Sequence, residues 1–342
     1  MKYKLLGKSG LKVSELCLGT MGFGQEWKWG ADKDISFEIM KQFTDKGGNF
    51  IDTANRYTEG SSEKYIGEFM KGNRDYFVLA TKYSLFDNLS NPNASGNNRK
   101  NMMRSVEESL RRLQTDFIDL LYLHIWDNLT PIDEVMRALD DLVRAGKVHY
   151  IGISDTPAWI ISKGQTLAEL MGWTKFITLQ VEYSLLQRTP ERELLPMAAH
   201  YGLTLCNWAP LAGGALTGKY LKGEKGRLPE TSKRLGERAV HITQTILNIS
   251  AETGHSPAHI ALAWCRQNFP SCIPIVGATK AAQLLDNMGF TEVCLSSEHM
   301  QKLNEASSIE LGFPGDFLKE EGVKQVTFGG FYNKIEHPQI LR

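Results

Sequence analysis

The sequence predicts an α/β fold, a (β/α)8 barrel. Three observations predict it: short apolar segments alternate with amphipathic stretches along the whole chain, there are eight of them, and no glycine-rich dinucleotide fingerprint follows the first. The eight strand candidates are 16–20, 49–52, 77–82, 118–124, 148–154, 176–180, 203–208 and 272–276. Strands separated by helices pair in parallel, because a parallel connection needs a crossover. Runs such as FIDLLYL are apolar at nearly every position, as strands buried on both faces require. Eight such units are the count for a TIM barrel. A doubly wound sheet would carry GxGxxG after its first strand, and Met21-Gly22-Phe23-Gly24 lacks that spacing.

Each connection can be read in turn. Ile132, Val135, Met136, Leu139, Leu142 and Val143 recur at helical spacing, as do Met102, Val106, Leu110 and Leu113. Glycines at 47–48, 146, 172, 202 and 254 punctuate the helix ends. Ahead of the barrel, residues 3–5 and 13–15 flank Gly7 and Gly10 as a hairpin. Residues 84–98 and 217–237 are long polar loops, a type that often binds ligands. Residues 1–342 read as one domain with a core over about 3–290, followed by a C-terminal helix and tail over about 291–342, with the stretch from 322 laid over the barrel.

Bulk properties exclude several functions. Lys plus Arg and Asp plus Glu are equal at 39 each, so the chain shows no basic bias toward nucleic acid or an anionic membrane. No apolar run follows the N-terminal lysines, and none approaches the length of a membrane span, so a cytoplasmic location is expected. The five cysteines form no CxxC and read as reduced thiols rather than a disulfide framework or zinc site. His255 and His259 have a zinc-compatible spacing, but Ser256 and Pro257 read as the cap and first turn of a helix, which leaves His255 outside it. Residues 213–219 match GxxxxGK, but Tyr220 stands where a P-loop needs Ser or Thr. No metal is expected.

The active site of such a barrel lies at the C-terminal ends of its strands. Asp52, Lys82 and His124 end the second, third and fourth candidates, and Tyr57 follows Asp52 in the loop above. Taken singly, each suits a surface ion pair or a turn. Together they suit carbonyl reduction, which needs a proton on oxygen opposite a hydride. Tyrosine is too weak an acid alone, a nearby ammonium lowers its pKa, an aspartate holds the lysine, and a histidine orients the carbonyl. Trp27, Trp29, Phe86 and Trp126 fall in or near the top-face loops, either as a substrate wall or as loop packing.

The segments FIDTANRYTEGSSEKYIG (50–67), ATKY (80–83), DLLYLH (119–124) and GISD (152–155) resemble the aldo-keto reductase superfamily. So do LGKSGLKVSELCLGTMGFG (6–24), LQVEYSLLQR (179–188), WAPLAGGALTGKY (208–220) and PIVGATKAAQLLDN (274–287). Within that family the chain resembles most the long-loop branch that includes aryl-alcohol dehydrogenase-like enzymes and potassium-channel β-subunits. The resemblance implies NADPH-dependent reduction of aldehydes or ketones to alcohols, with NADP(H) preferred to NAD(H). It implies a tetrad of Asp52, Tyr57 (general acid), Lys82 and His124.

By the same resemblance, Thr20, Met21 and Asp52 lie near the nicotinamide, Ser154 and Gln180 hold its carboxamide, and Trp208 stacks on the ring. Ala209, Pro210, Leu211, Gly213 and Lys219 wrap the pyrophosphate, with Arg227 as a second clamp. Gly277, Thr279, Gln283, Asp286 and Asn287 hold the adenosine end. Three features depart from the family pattern. Asp155 replaces an Asn, Asp286 is a methylene shorter than the usual Glu, and Gly277, Thr279 and Gln283 stand where Lys or Arg often meets the 2′-phosphate, leaving Lys280 as a substitute. The expected partner is a small carbonyl substrate, with no nucleic acid or membrane, and a homo-oligomer is compatible. A second reading is an NADP-binding, redox-sensing subunit like the channel β-subunits. His124 favours the enzyme, because that position resembles Asn in those subunits.

Overall fold

A computed structural model of the chain describes residues 1–336. A hairpin, β1 (Tyr3–Leu5) and β2 (Lys12–Ser14), precedes eight barrel strands. These are β3 (Cys17–Gly19), β4 (Phe50–Asp52), β5 (Val78–Tyr83), β6 (Ile118–Leu123), β7 (Val148–Ser154), β8 (Phe176–Glu182), β9 (Thr204–Trp208) and β10 (Ile273–Gly277). Every neighbouring pair is parallel, and β10 pairs with β3 to close the barrel. The helices are α1 (Lys33–Asp45), α2 (Ser61–Met70), α3 (Arg99–Leu113), α4 (Ile132–Arg144), α5 (Ala158–Met171), α6 (Leu194–Tyr201), α7 (Glu237–Thr253), α8 (Pro257–Asn268), α9 (Ala281–Met288), α10 (Ser297–Ala306) and α11 (Glu321–Phe328). One helix joins each successive pair from β3 to β9, and two join β9 to β10.

All eight strand candidates are observed, with ends moved by two residues at most. They were legible because both faces are buried: every residue of β5 and of β6 is buried. The hairpin's second strand lies one residue earlier than expected. Ser14 ends it by donating its hydroxyl to Leu16 O (2.7 Å) while its amide donates to Asn49 Oδ1 (2.7 Å), which turns the chain into the barrel. Residues 322–328, the start of the stretch expected to lie over the barrel, are in α11. None of the residues of α11 is buried, and residues 337–342 are outside the described range.

The period-two alternation of a strand divides the core. Outward-facing residues such as Ile51, Leu79, Leu121, Ile151, Leu179 and Leu205 pack under the helices. Inward-facing Cys17, Phe50, Val78, Ala80, Leu120, Tyr122, Cys206, Ile273 and Ile275 fill the barrel, and Leu6 and Val13 of the hairpin region join them. The Tyr122 ring lies flat against Gly152, where a Cβ would sit 2.4 Å from its Cε1. Its hydroxyl meets Thr178 Oγ1 at 3.2 Å, so the one bulky polar group in this floor is satisfied.

Candidate active site

Continuing the same alternation upward, one step above the apolar floor, brings Asp52, Lys82, Ser154 and Gln180 to the barrel's open end, with His124 just past β6. Lys82 is fully buried and its ammonium is the hub. Its Nζ donates to Asp52 Oδ2 (2.6 Å), to Thr53 O (2.7 Å) and to the Tyr57 hydroxyl (3.2 Å). Gln180 Nε2 donates to the other Asp52 oxygen, Oδ1, at 2.8 Å. The carboxylate is thus held from two sides, as a buried ion pair requires. His124 stands edge-on to Tyr57, ring centroids 5.9 Å apart.

Tyr57 is not on a strand, and its placement depends on local turn chemistry. It opens a 310 turn (Tyr57–Gly60) in which Thr58 and Glu59 adopt left-handed backbone, with φ of 46° and 54°. Such residues cost free energy and persist where surroundings hold them. Here Thr58 Oγ1 donates to Phe23 O, and Glu59 pairs with Arg56 and accepts from Trp27 Nε1 (3.1 Å). Helix α2, which follows, is tied to β5 through buried Glu63, which accepts from Thr81 Oγ1 and Arg112 Nε, both at 2.6 Å. Ser62 donates to Thr20 Oγ1 (2.8 Å), and Thr20 Oγ1 donates to Asp52 O (2.8 Å).

The electrostatics separate the four groups. For Lys82, burial opposes the charge but is outweighed by Asp52 and then Tyr57, so the ammonium is held above its ordinary range. Burial, followed by the charge on Lys82, holds His124 well below its usual value, so its imidazole is neutral. Tyr57 departs from the expectation that lysine would lower it. Lys82 does pull it down, but burial outweighs that pull, Asp52 and Asp155 add to the rise, and the hydroxyl sits above its ordinary value. In the resting site Tyr57 is a protonated phenol.

Among the described residues, four buried side-chain polar atoms have no hydrogen-bond partner: Asn55 Oδ1, Arg104 Nε, His124 Nδ1 and Ser154 Oγ. Three of the four belong to the strand ends and loops of this face. Native interiors leave few such atoms, and each calls for an explanation. Ser154 is one of the two residues expected to hold a carboxamide. The other, Gln180, has its amide N–H committed to Asp52. Beyond β9 the backbone turns repeatedly, with positive φ at Ala209, Ala212, Gly213 and Gly214. Lys219 Nζ rests against Gly214, 2.9 Å from where a Cβ would be.

The remaining expected cofactor residues are distributed as follows. Met21 lies half-buried just beyond β3, and Pro210 and Leu211 begin the turn after β9. Arg227 stacks 4.9 Å above the Trp29 ring, so the 217–237 loop reaches across to the β3–α1 loop. Gly277 and Thr279 are exposed, and Thr279 N donates to Gln283 Oε1 (3.3 Å). Asp286 offers its backbone O to His259 Nε2 (2.6 Å), and Asn287 is buried beside it in α9. Ser256 does cap α8, with His255 outside it. Among the described residues no His, Cys, Asp and Glu cluster has the makings of a metal site, and no helix is long and apolar enough to cross a membrane. Of the four aromatics, Trp126 is core packing, while Trp29 and Phe86 are exposed and Trp27 stands edge-on to Tyr57 at 6.5 Å.

Sequence reasoning missed several members. Thr53 contributes through its backbone carbonyl, which carries no side-chain signal. Glu182 lies two residues past Gln180 on the inward side of β8, so alternation pointed to it. Its partner Arg234, 2.6 Å away and 6.0 Å over the Trp208 ring, comes from a loop with no periodic pattern. Trp208 also donates its indole N–H to Asp155 Oδ1 (3.2 Å).

Residues 15–308 match the model of the aldo/keto reductase family. The chain is 38% identical to norsolorinic acid reductase of Aspergillus flavus, over 92% of this chain and 83% of that one. It is 38% identical to an NADP(+) aryl-alcohol dehydrogenase of Phanerodontia chrysosporium, over 97% and 93%. It is 35% identical to an aryl-alcohol dehydrogenase of Pestalotiopsis microspora, over 99% and 88%.

Proposed function

The chain belongs to the aldo/keto reductase family, and from that premise we propose that it reduces aromatic aldehydes or ketones to alcohols with NADPH, Tyr57 being the acid. The observation that carries this reading is Lys82 Nζ bridging Asp52 and the Tyr57 hydroxyl in a buried site. A bound nicotinamide dinucleotide would supply the hydride to the carbonyl carbon. Ser154, Trp208, the 209–214 turn and Lys219 are the residues that would hold it.

Tyr57 gives its proton to the carbonyl oxygen, so the product is a neutral alcohol. Lys82 stabilises the phenolate that remains, an electrostatic contribution made in the transition state more than in the resting site. Asp52 and Gln180 keep Lys82 aimed. His124 is neutral, and with Nδ1 buried and unpartnered the tautomer protonated at Nε2 avoids an unsatisfied buried N–H. That N–H is the donor that orients the carbonyl. Trp27, Trp29 and Phe86 line the approach with apolar rings suited to a planar aromatic substrate. The names of the relatives, aryl-alcohol dehydrogenases and reductases of norsolorinic acid, support that class.

The test is oxidation of NADPH and NADH, followed by absorbance, against a panel of aromatic and aliphatic aldehydes. Turnover with aromatic aldehydes and a preference for NADPH support the proposal. Tight NADPH binding without turnover across the panel would replace it with the redox-sensing subunit.

A further inference from the structure

The imidazole of His124 is aimed without a ring partner of its own. Its Nδ1 is buried and makes no hydrogen bond, so no second group fixes the ring from behind, the usual means of orienting a working histidine. The aim then depends on the backbone that carries the ring, and that backbone lies beyond β6, which ends at Leu123. His124 N donates to Tyr83 O (3.0 Å). Ile125, the next residue, is 45% exposed, so side-chain packing does little to hold it. Its two backbone groups are held instead, both by side chains of the 84–98 loop. Ile125 N donates to Ser84 Oγ (3.1 Å), and Ile125 O accepts from Asn97 Nδ2 (2.8 Å).

Both of those side chains are themselves tightly placed. Ser84 is buried and has a φ of 108°, a conformation that costs a residue with a side chain free energy and persists where the surroundings impose it. Its carbonyl accepts from Gly96 N (2.8 Å), which folds the loop back and brings Asn97 alongside. Asn97 is fully buried, in a loop that exposes residues 86–90 to solvent. Each of its nitrogen and oxygen atoms is used. Its N donates to Asp127 Oδ2 (2.7 Å), its Oδ1 accepts from Asp127 N (2.8 Å), its O accepts from the Tyr83 hydroxyl (3.3 Å), and its Nδ2 is the donor to Ile125. One side chain and its backbone thus tie together Tyr83, Ile125 and Asp127, the residues that surround His124 in the chain and the ladder.

We infer that Asn97, with Ser84, is a positioning residue for His124: it pins the backbone on which the imidazole sits and replaces the ring partner that His124 lacks. The inference rests on the reductase reading, in which that imidazole orients the carbonyl, and adds a residue to it. Asn97 acts through His124 and not on the substrate. The role needs an amide, which donates and accepts at once. Alanine supplies neither bond, and aspartate would lose the donor to Ile125 and set a second carboxylate against Asp127.

The experiment compares full-length wild type, Asn97→Ala and Ser84→Gly, each also in a His124→Ala background. A single turnover of NADPH-loaded protein with an aromatic aldehyde, followed long enough to time slow variants, reads the aim of the imidazole. Tm reads stability. Imidazole nitrogen resonances, with His124 identified by its loss in His124→Ala, read the ring without turnover. The expected result is that Asn97→Ala slows turnover about tenfold or more, the effect of a small misplacement of a reacting group, with NADPH affinity unchanged and the His124 resonance moved. Ser84→Gly relieves the strained φ as it removes the hydroxyl, so turnover should slow while Tm stays close to that of wild type. In the His124→Ala background both substitutions should lose their effect on rate, because residues acting as a unit are not additive. A loop that only shapes the substrate pocket would slow the reaction equally with and without His124, and that outcome overturns the inference. An unmoved His124 resonance overturns it too. If Asn97→Ala does not fold, Ser84→Gly carries the same expectation. A moved His124 resonance in a protein whose wild type reduces nothing supports the role of Asn97 and contradicts the reductase reading, so the two failures are distinguishable.

Discussion

Two layers of the barrel interior are built by the same strands, one alternation step apart, and they are opposites. The lower layer, with Phe50, Val78, Leu120, Cys206 and Ile273, is apolar and closed from below by Leu6 and Val13. The upper layer, with Asp52, Lys82, Ser154 and Gln180, carries a buried ion pair and borders three of the four unpartnered buried polar atoms among the described residues. Stability and chemistry are therefore separated by about the length of two residues along a strand. The lower layer gains from removing apolar surface from water. The upper layer pays desolvation for charges that a purely structural core would replace with leucine.

Breaking the upper layer should cost most. Lys82→Met leaves the Asp52 carboxylate buried with only Gln180, and unfolding by urea should show a loss of about 3–5 kcal/mol. Adding Asp52→Asn should recover part of it, the signature of a coupled pair. Breaking the lower layer should cost stability alone. Leu120→Ala should lose about 2–5 kcal/mol by transfer and cavity terms, with dinucleotide affinity measured by fluorescence unchanged. Gly152→Ala probes the boundary, because its methyl meets the Tyr122 ring. Overpacking there should cost about 1–3 kcal/mol in Tm-derived stability.

The smallest effect concerns pH. Asp155 is raised to about 6 in the folded chain, so the native state holds this proton more tightly than the unfolded one. Its stabilising contribution is complete below about pH 4 and lost as pH rises through about 6. The loss should be on the order of 2 kcal/mol after allowance for partial solvent screening. Thermal unfolding across that window should be flatter in Asp155→Asn than in wild type.

The same contrast explains what was legible in the sequence. Strands such as β6 announce themselves because both faces are apolar, and Asp52, Lys82 and His124 stood out as polar residues ending apolar runs. Tyr57 was legible by its distance from Asp52, but not its left-handed turn, because Thr58 and Glu59 carry no glycine to mark it. The hairpin slipped by one because three-residue strands give alternation little to count. The pull of Lys82 on Tyr57 is legible from their adjacency, but the net direction of the shift is not, because it is set by depth of burial. Arg234 and its pairing with Glu182 depend on how an aperiodic loop folds back, which no local pattern encodes.

The central claim, that Tyr57 is the proton donor of a carbonyl reduction, is tested most directly by a single turnover. Protein preloaded with NADPH is mixed with an aromatic aldehyde, and the first cycle of NADPH oxidation is timed in wild type and in Tyr57→Phe, with NADPH affinity and Tm measured on both. The account predicts a slowing of about 10²–10⁴-fold at unchanged affinity and Tm. A variant whose single-turnover rate stays close to that of wild type would contradict it.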